Sequence, residues 1–316
     1  MSENLWLGSG PEFDRVRAIF ARLGTSGYGL GDDCALLRAD KATIALSIDI
    51  SVEGVHFRRE WLALPEIGFR AAAAALSDLA AEGARAAGLL VSVGVPAQSA
   101  PSEAAEIMAG VGAAASEAGA KVLGGDLSRA PQLVIDVCAI GTAPRPVRRA
   151  GAMAGDGLWV TGQLGGVALA LEQYRTGRRP SPDLALRFAH PEPRLAAGQW
   201  LASQGARAMI DLSDGLSSDA AHLAAASGVA VEIALERIPC WNGAAPLLAA
   251  ASGEEYELLV ALPPAFGETQ ARAFGGLVNL ALTRIGTCAA GAGVRFTERG
   301  VPVVPPAGYD HFAAAR

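Results

Sequence analysis

The 316-residue sequence contains very little lysine, only Lys41 and Lys121. No GxxxxGK[ST] motif surrounds either lysine, so the chain is not predicted to be a P-loop enzyme. Neither lysine lies in a VAIK-type strand and no HRD or DFG motif is present, which excludes a protein-kinase-like fold. Any phosphate bound by this protein must therefore be held by arginine, backbone N–H groups or metal ions.

Cysteine is also scarce. The four cysteines lie far apart and form no CxxC pair, which argues against both a zinc site and a disulfide framework and favours buried thiols. They are Cys34, Cys138, Cys240 and Cys288.

Long apolar runs and a surplus of positive charge are absent too. Apolar stretches are interrupted before the roughly 18 residues that a membrane span needs, and the sequence starts without a basic-then-apolar signal pattern. The net charge of −6 disfavours a nucleic-acid partner. We therefore expect a soluble cytoplasmic protein that binds neither membrane nor nucleic acid.

Half of the residues are hydrophobic, and helical and strand patterns alternate along the chain, which predicts α/β or α+β domains. Two amphipathic or Ala-rich helices are predicted at Pro11–Leu23 and Pro65–Ala87. The segment Thr142–Arg149, TAPRPVRR, breaks both periodicities and is the best candidate for a domain junction. It predicts an N-terminal domain of residues 1–145 and a C-terminal domain of residues 146–316.

Acidic residues recur where a strand or an apolar helix meets glycine or serine. Five segments share this pattern: GDDCALL (Asp32, Asp33), SIDISVEGVHF (Asp49), LSDLAAEGA (Asp78), GGDLSRA (Asp126) and IDLSDGLSSD (Asp211, Asp214, Asp219). Asp78 is the most informative of them, because a lone carboxylate in a packed apolar helix costs several kcal/mol unless it is paired or protonated.

Each acid taken alone is more simply explained as a turn residue or a helix N-cap. Together they outnumber the basic residues nearby. Two unpaired carboxylates about 4 Å apart repel by roughly 4 kcal/mol at an effective dielectric constant near 20, so divalent cations are the natural partners if the segments converge. Oxygen ligands favour Mg²⁺, Mn²⁺ or Ca²⁺ over zinc.

Carboxylate-bound magnesium usually serves phosphate chemistry, which raises the question of where phosphates are held. The Gly-rich turn of Gly162–Leu171, GQLGGVALAL, resembles an anion site at a helix N-terminus. Arg149 is a candidate phosphate clamp, although a surface role is equally consistent with its position. GVGAAA at 110–115 matches a dinucleotide-binding pattern but lies inside a predicted helix, which disfavours that function.

In their order, these motifs resemble the thiamine-monophosphate kinase family over nearly the whole chain. The remaining matching segments are RRAGAMAGDGLWVTGQLG, HPEPR, SGEEYELLVALP and the C-terminal GYDHF. The resemblance implies a two-domain α/β fold similar to aminoimidazole ribonucleotide synthetase. It further implies that the N-terminal sheet pairs across a homodimer and that ATP binds in the cleft between the domains.

The same resemblance implies site residues. Several Mg²⁺ ions would be bound by Asp33, Ser47, the backbone of Ile48, Asp49, Asp78, Asp126, Asp211 and Asp214. ATP, as co-substrate, would contact Gly125, Asp126, Arg149 and Ser213. The thiamine phosphate site would be lined by His56, Glu254 and Tyr309. Catalysis would depend on Asp78, Asp126 and Arg149.

Five positions depart from the family pattern. They are Ile48 for Thr, Ala75 for Asn, Glu82 for Met, Leu127 for Thr and Glu255 for Asp. None removes a proposed carboxylate ligand, but the lost polar side chains bear on how the ligands are oriented.

The acceptor, a phosphate monoester, has a second pKa of about 6, so no general base is required. We expect direct in-line transfer of the γ-phosphoryl group from ATP. Two alternatives remain: another ATP-dependent enzyme of the same superfamily, and a non-catalytic sensor of nucleotide or thiamine phosphate.

Overall fold

The computed structural model describes residues 10–23, 31–40 and 42–312. The first half of the chain contains three helices, α1 (Pro11–Leu23), α2 (Leu64–Ala81) and α3 (Glu103–Glu117). Its strands are β1 (Ala35–Ala39), β2 (Ala42–Val52), β3 (Arg85–Val95), β4 (Lys121–Arg129) and β5 (Val134–Thr142). The prediction for α1 agrees with the structure, but the predicted helix of Pro65–Ala87 is too long at its C-terminal end. Gly83 has φ +65, a left-handed conformation that ends the helix, and β3 begins at Arg85.

The second half contains a larger set of elements. Its helices are α4 (Gly166–Arg175), α5 (Pro182–Ala189), α6 (Leu195–Ser203), α7 (Leu216–Ser227), α8 (Pro246–Ala251) and α9 (Glu268–Val278). Its strands are β6 (Gly157–Thr161), β7 (Ala208–Asp211), β8 (Ala230–Ala234), β9 (Leu258–Leu262), β10 (Leu282–Ala289), β11 (Gly293–Glu298) and β12 (Val301–Val303).

Each half forms one mixed sheet. The first sheet has the strand order β1-β2-β5-β3-β4, and only β3 and β4 run parallel. The second has the order β12-β11-β8-β10-β6-β9-β7, with β8 and β11 parallel. The α/β fold class predicted from the sequence is therefore confirmed.

Helix α2 covers one face of the first sheet and carries much of the core. Fourteen of its residues are buried, and it packs closely against α3 at two glycines. A Cβ added at Gly110 would lie 1.8 Å from the carbonyl oxygen of Pro65, and one at Gly68 would lie 1.9 Å from that of Ile107. Only glycine permits this approach, which fixes the position of α2 and of the side chains on it.

In the part of the chain that the structure describes, side chains on the other face of the first sheet are exposed or half-buried. In β2, Ala45, Ser47 and Ser51 point toward α2 and are buried, whereas Ile48 and Ile50 alternate with them and are exposed. The described residues include no helix long and apolar enough to cross a membrane.

Candidate active site

Three carboxylates from distant parts of the sequence meet at one point. Asp33 precedes β1, Asp78 lies on α2, and Asp211 is the last residue of β7. Each offers a carboxylate oxygen within 4.8 Å of those of the other two. Asp33 and Asp211 are buried. We call these three residues the acidic group.

Two serines donate hydrogen bonds into the acidic group. The Ser47 hydroxyl, on the face of β2 that points toward α2, donates to Asp78. The Ser77 hydroxyl donates to Asp211 Oδ2 at 2.7 Å. Ser77 and Asp78 are neighbours on α2, so a single turn of this helix connects the acids of both halves of the chain.

Arg149 is the cation that pairs directly with this group. Its guanidinium donates two hydrogen bonds to Asp33, from Nε to Oδ2 at 3.0 Å and from Nη2 to Oδ1 at 2.8 Å. Its backbone N–H donates to Asp32 Oδ1 at 2.9 Å. A bidentate pair of this kind fixes both side chains in one geometry.

The negative charge of the group exceeds what Arg149 neutralises. Burial, and then the nearby Asp33, raises the pKa of Asp211 to about 7. Burial, followed by Asp211 and Asp33, raises the pKa of Asp78 well above its ordinary value. Because the donor atoms are all oxygens and share surplus negative charge, the group fits Mg²⁺ or a similar hard divalent cation.

Two further predicted ligands lie at the margins of the acidic group. Burial, and then Glu254, raises the pKa of Asp49 to about 7. Burial, and then Glu12, raises that of Asp214 to about 6. Asp214 belongs to a second cluster with Asp219 and His222, in which one ligand atom from each lies within 4.8 Å of the others.

Sequence reasoning gave no role to Asp219 or His222. Asp219 Oδ2 accepts hydrogen bonds from the backbone N–H of Asp214 at 3.2 Å and of Gly215 at 3.0 Å, so it shapes the loop that presents Asp214. The close spacing of Asp211, Asp214 and Asp219 in the sequence was the signal that pointed to this loop. Nothing in the sequence brings His222 into it.

The structure does not bring Asp126 to the acidic group. Asp126 lies on β4, in register with Ser92 on β3, Asp136 on β5 and Ile50 on β2. It is therefore three strand spacings, or about 14 Å, from β2. It is exposed on the face opposite Ser47 and Asp49. Gly125 lies beside it on β4, and the Ile48 side chain points to the same open face, 70% exposed.

Two of the residues predicted to line the acceptor site, Glu254 and Tyr309, contact the loop that carries Ser213 and Asp214. Glu254, held at φ +57, forms an ion pair with buried Arg70 at 2.7 Å, and its backbone N–H donates to the carbonyl oxygen of Ser213 at 2.6 Å. The backbone N–H of Tyr309 donates to the carbonyl oxygen of Asp214 at 2.9 Å. These contacts join Glu254 and Tyr309 to the loop that follows β7.

His311, which was not predicted to be a site residue, lies between two of the acceptor-site residues. Its ring centroid lies 5.0 Å from that of His56 and 4.8 Å from that of Tyr309. Burial, and then His311, lowers the pKa of His56. His56 Nδ1 accepts a hydrogen bond from the backbone N–H of Val52 at 3.1 Å, so the imidazole is neutral in this position.

The Gly-rich turn before α4 is not a free phosphate site, contrary to the sequence expectation. The buried Glu255 carboxylate accepts hydrogen bonds there from the backbone N–H of Gly165 at 2.7 Å and of Val167 at 3.2 Å. Ser252 and Arg187 also bind this carboxylate. The N-terminus of α4 is thus already occupied by an anion of the chain itself.

Comparison with known proteins agrees with this arrangement. Residues 31–143 match the family model of the AIR synthase related protein, N-terminal domain, and residues 153–299 match that of the C-terminal domain. A curated thiamine-monophosphate kinase from Salmonella typhimurium is 36% identical over 318 residues, which covers 95% of this chain and 96% of that protein. The chain belongs to the thiamine-monophosphate kinase family.

Solved structures support the same assignment. The structure of AaThiL complexed with AMPPCP and TMP is 30% identical, covers 95% of this chain and 97% of that chain, and superposes with a TM-score of 0.86. Thiamine-monophosphate kinase from Stenotrophomonas maltophilia is 31% identical over 94% of this chain and 98% of that chain, with a TM-score of 0.77. The hydrogenase maturation protein HypE in complex with ATP, 20% identical over 98% of this chain and 99% of that chain with a TM-score of 0.70, shares the fold alone.

Proposed function

We propose that this protein transfers the γ-phosphoryl group of ATP to thiamine phosphate, giving thiamine diphosphate and ADP. The observation that carries the proposal is the acidic group, in which Asp33, Asp78 and Asp211 converge and Arg149 is the one cation paired to them among the described residues. The family assignment and the complex of AaThiL with AMPPCP and TMP support the choice of substrates. Because ATP is the phosphoryl donor, we place the reaction in the cytoplasm.

Mg²⁺ would be held by Asp33, Asp78 and Asp211, with Ser47 and the backbone of Ile48 beside them and with Asp49 and Asp214 at the margins. When bound, such ions neutralise the charge on the phosphoryl groups and reduce the repulsion between the two anionic substrates. Two observations support the fit: all the donors are oxygens, and the buried carboxylates have a surplus of negative charge.

The protein's own contribution is to position two polyanions. Arg149 is held rigidly by its two hydrogen bonds to Asp33, so its charge lies in a fixed place beside the acids. The acceptor oxygen of a phosphate monoester is already anionic near neutral pH, since its second pKa is about 6. The site therefore needs no general base, and neutral His56 fits a role in lining the acceptor site together with Glu254 and Tyr309.

We further propose that the catalytic cleft lies between two domains, residues 1–145 and 146–316. Asp33 and Asp78 come from the first and Arg149 and Asp211 from the second, so the acidic group is complete only when both are in place. Ser213, in the loop after β7 of the second domain, would contact ATP. Gly125 and Asp126 lie on an exposed sheet edge, where a second copy of the chain would approach them if the sheets pair in a homodimer.

The alternatives differ in what they require. An enzyme of this superfamily with a reactive cysteine would need an accessible thiolate, but Cys34 is buried, and burial together with nearby carboxylates raises its thiol pKa far above the ordinary value. If the protein were a non-catalytic sensor, the departures from the family pattern would reflect lost activity. Of these, Glu255 keeps a full set of hydrogen bonds and so gives no sign of lost function.

A coupled assay of ADP release, with and without thiamine phosphate and with Mg²⁺ present, tests the proposal. We expect ADP release to depend on both thiamine phosphate and Mg²⁺. Asp78→Asn should lower kcat by about 100-fold or more, the usual loss when one electrostatic element of a phosphoryl-transfer site is removed. Asp183→Asn, an exposed acid of α5, is the matched control and should retain the wild-type rate. A near-normal rate in Asp78→Asn would refute the metal assignment, and the absence of thiamine phosphate dependence would refute the substrate.

A further inference from the structure

A cavity of about 750 Å³ lies outside the acidic group, between the segment of residues 58–66 and helices α4 and α5. This volume falls in the range of sites that hold small molecules, and its position between the two halves of the chain is a common one for such sites. We call it the arginine cavity, after Arg58, Arg175, Arg178 and Arg179, which line it.

Three of these arginines have no anionic partner among residues 10–23, 31–40 and 42–312. Among the ion pairs of the described residues, none involves Arg175, Arg178 or Arg179, and Arg178 Nε donates only to the Thr176 hydroxyl at 3.1 Å. The chain as a whole has a net charge of −6, whereas these unpaired arginines give the cavity positive charge.

The two carboxylates that line the cavity already have partners, and neither pairs with Arg175, Arg178 or Arg179 among the described residues. Glu60 pairs with Arg58 at 3.5 Å, and Glu66 Oε2 accepts the backbone N–H of Ala63 at 2.8 Å, which caps α2. The cavity therefore has a surplus of positive charge that its own residues do not neutralise. Guanidinium groups bind phosphate oxygens through two parallel N–H donors, so several of them on one wall suit more than one phosphate group.

An aromatic wall lies beside the arginines. Trp61 stacks on Tyr174 with ring centroids 5.4 Å apart and an interplanar angle of 18°. The guanidinium carbon of Arg58 lies 5.1 Å from the centre of the Trp61 ring. Aromatic rings and a guanidinium plane together favour contact with a flat ring of a ligand.

We propose that the arginine cavity binds a diphosphate ester that carries an aromatic ring, at a site separate from the acidic group. Arg175, Arg178 and Arg179 bind the diphosphate, and Trp61 and Tyr174 contact the ring. Binding here requires no divalent cation, because the protein supplies the positive charge, whereas the acidic group repels phosphates in the absence of a metal ion. This inference does not depend on the proposed function.

Isothermal titration of the full chain in EDTA tests it, with inorganic pyrophosphate, ADP and thiamine diphosphate as separate ligands. We expect about one equivalent of each to bind without metal, and ADP or thiamine diphosphate to bind more tightly than pyrophosphate. The tighter of these two identifies the source of the diphosphate. Absence of metal-free binding, or equal affinity for all three ligands, would overturn the proposal.

Variants separate this cavity from the acidic group. The double variant Arg178→Ala, Arg179→Ala should weaken metal-free binding by about tenfold or more, since two charged hydrogen-bonding groups are removed. Arg272→Ala, an exposed arginine on α9, and Asp78→Asn should both leave it unchanged. Trp61→Leu should weaken the binding of ADP and of thiamine diphosphate but not that of pyrophosphate. Wild-type affinity in the double variant, or lost affinity in Asp78→Asn, would place the binding elsewhere.

Discussion

Asp211 illustrates how a single buried carboxylate acquires unusual chemistry. It closes a fully buried strand, faces Asp33 and Asp78, and has Ser77 as a hydrogen-bond donor. Burial and the neighbouring negative charge favour its protonated form, whereas the hydroxyl favours the anion. Without a cation, the protonated form prevails over a wider pH range than in an unfolded chain.

The raised pKa of Asp211 makes the free energy of unfolding depend on pH. The pKa of Asp211 rises from 3.8 to about 7 on folding, so between these values the folded state retains a proton that the unfolded chain releases. The stabilising proton is lost as the pH rises, and the free energy of unfolding falls with it. In EDTA, the melting temperature of Asp211→Asn should therefore exceed that of the wild type only slightly at about pH 4 and by a few degrees more at about pH 8.

Thermal melts of both proteins at the two pH values check this prediction. Mg²⁺ added at the higher pH should raise the melting temperature of the wild type more than that of Asp211→Asn, because the ion binds only the folded state. Equal melting temperatures for the two proteins at the higher pH in EDTA would contradict the assignment of surplus charge to this group.

Glu255 gives a second test at the scale of one residue. Its carboxylate accepts bonds from the N-terminus of α4 and from Ser252 and pairs with Arg187 at 3.0 Å, all of it buried. Glu255→Ala leaves these donors without a partner and should lower the free energy of unfolding by about 3 kcal/mol in urea titration.

A matched control lies nearby. Glu192 pairs with Arg194 at 2.6 Å, but its side chain is 75% exposed. Glu192→Ala should lower the free energy of unfolding by less than about 1 kcal/mol, because exposed ion pairs contribute little to stability. A small effect in both variants would show that the buried network around Glu255 contributes little to stability.

Among the elements, α2 has the largest influence on the site. Its Ser77 and Asp78 contact groups from two different sheets, and its opposite side packs on α3 and α6. The contact with α6 is also made by a glycine: a Cβ added at Gly198 would lie 2.0 Å from the carbonyl oxygen of Ala80. The acidic group is therefore positioned by close packing around this helix.

Two glycines of α3 make this argument testable. Gly110 approaches the carbonyl oxygen of Pro65 too closely for any side chain, whereas Gly112 has no neighbouring atom within 4 Å of an added Cβ. Gly110→Ala should lower the free energy of unfolding by about 1–3 kcal/mol or more through overpacking. Gly112→Ala should raise it by about 0.5–1 kcal/mol, because alanine is the better helix former.

Urea titration of the two variants provides the comparison. The ADP-release assay should show a second difference, with lowered activity only in Gly110→Ala, since displacement of α2 also displaces Asp78. If both substitutions have the same effect on stability, the close approach of α2 and α3 is not a constraint on the fold.

For the whole molecule, the open face of the first sheet is the main unexplained surface. Apolar side chains on β2, β3 and β4 are exposed there: Ile48, Ile50, Leu90 and Leu123. Several exposed apolar side chains on one face of a sheet are typical of a protein–protein interface. It supports the proposed homodimer, in which this face of one copy covers that of another.

Light scattering after gel filtration tests the dimer. The wild type should have twice the chain mass of 32.2 kDa. Ile50→Glu places a charge in the proposed interface and should shift the mass toward that of the monomer, whereas Leu277→Glu, 74% exposed on α9, should not. A monomeric wild type would end the proposal that a second copy approaches Gly125 and Asp126.

Much of the fold followed from local patterns in the sequence. The apolar periodicity of α1 and the alternation of Ser47, Ile48 and Asp49 on β2 are properties of neighbouring residues, and the structure retains them. The order of the acidic motifs identified the family, since such motifs depend on residue type and spacing. The end of α2 was misplaced because Glu82 and Gly83 lie in an Ala-rich segment whose helical preference hid the turn.

The sequence by itself determined which residue types were available: many carboxylates, few cations besides arginine, and glycines at the turns. Only the tertiary structure decided which of them meet. It brought Asp33, Asp78 and Asp211 together across 178 residues of sequence, left Asp126 on the opposite face of the sheet, and placed Glu255 at the helix N-terminus expected to bind phosphate. The reason is physical: strand order, sheet face and helix packing depend on contacts between distant segments, and local periodicity does not specify them.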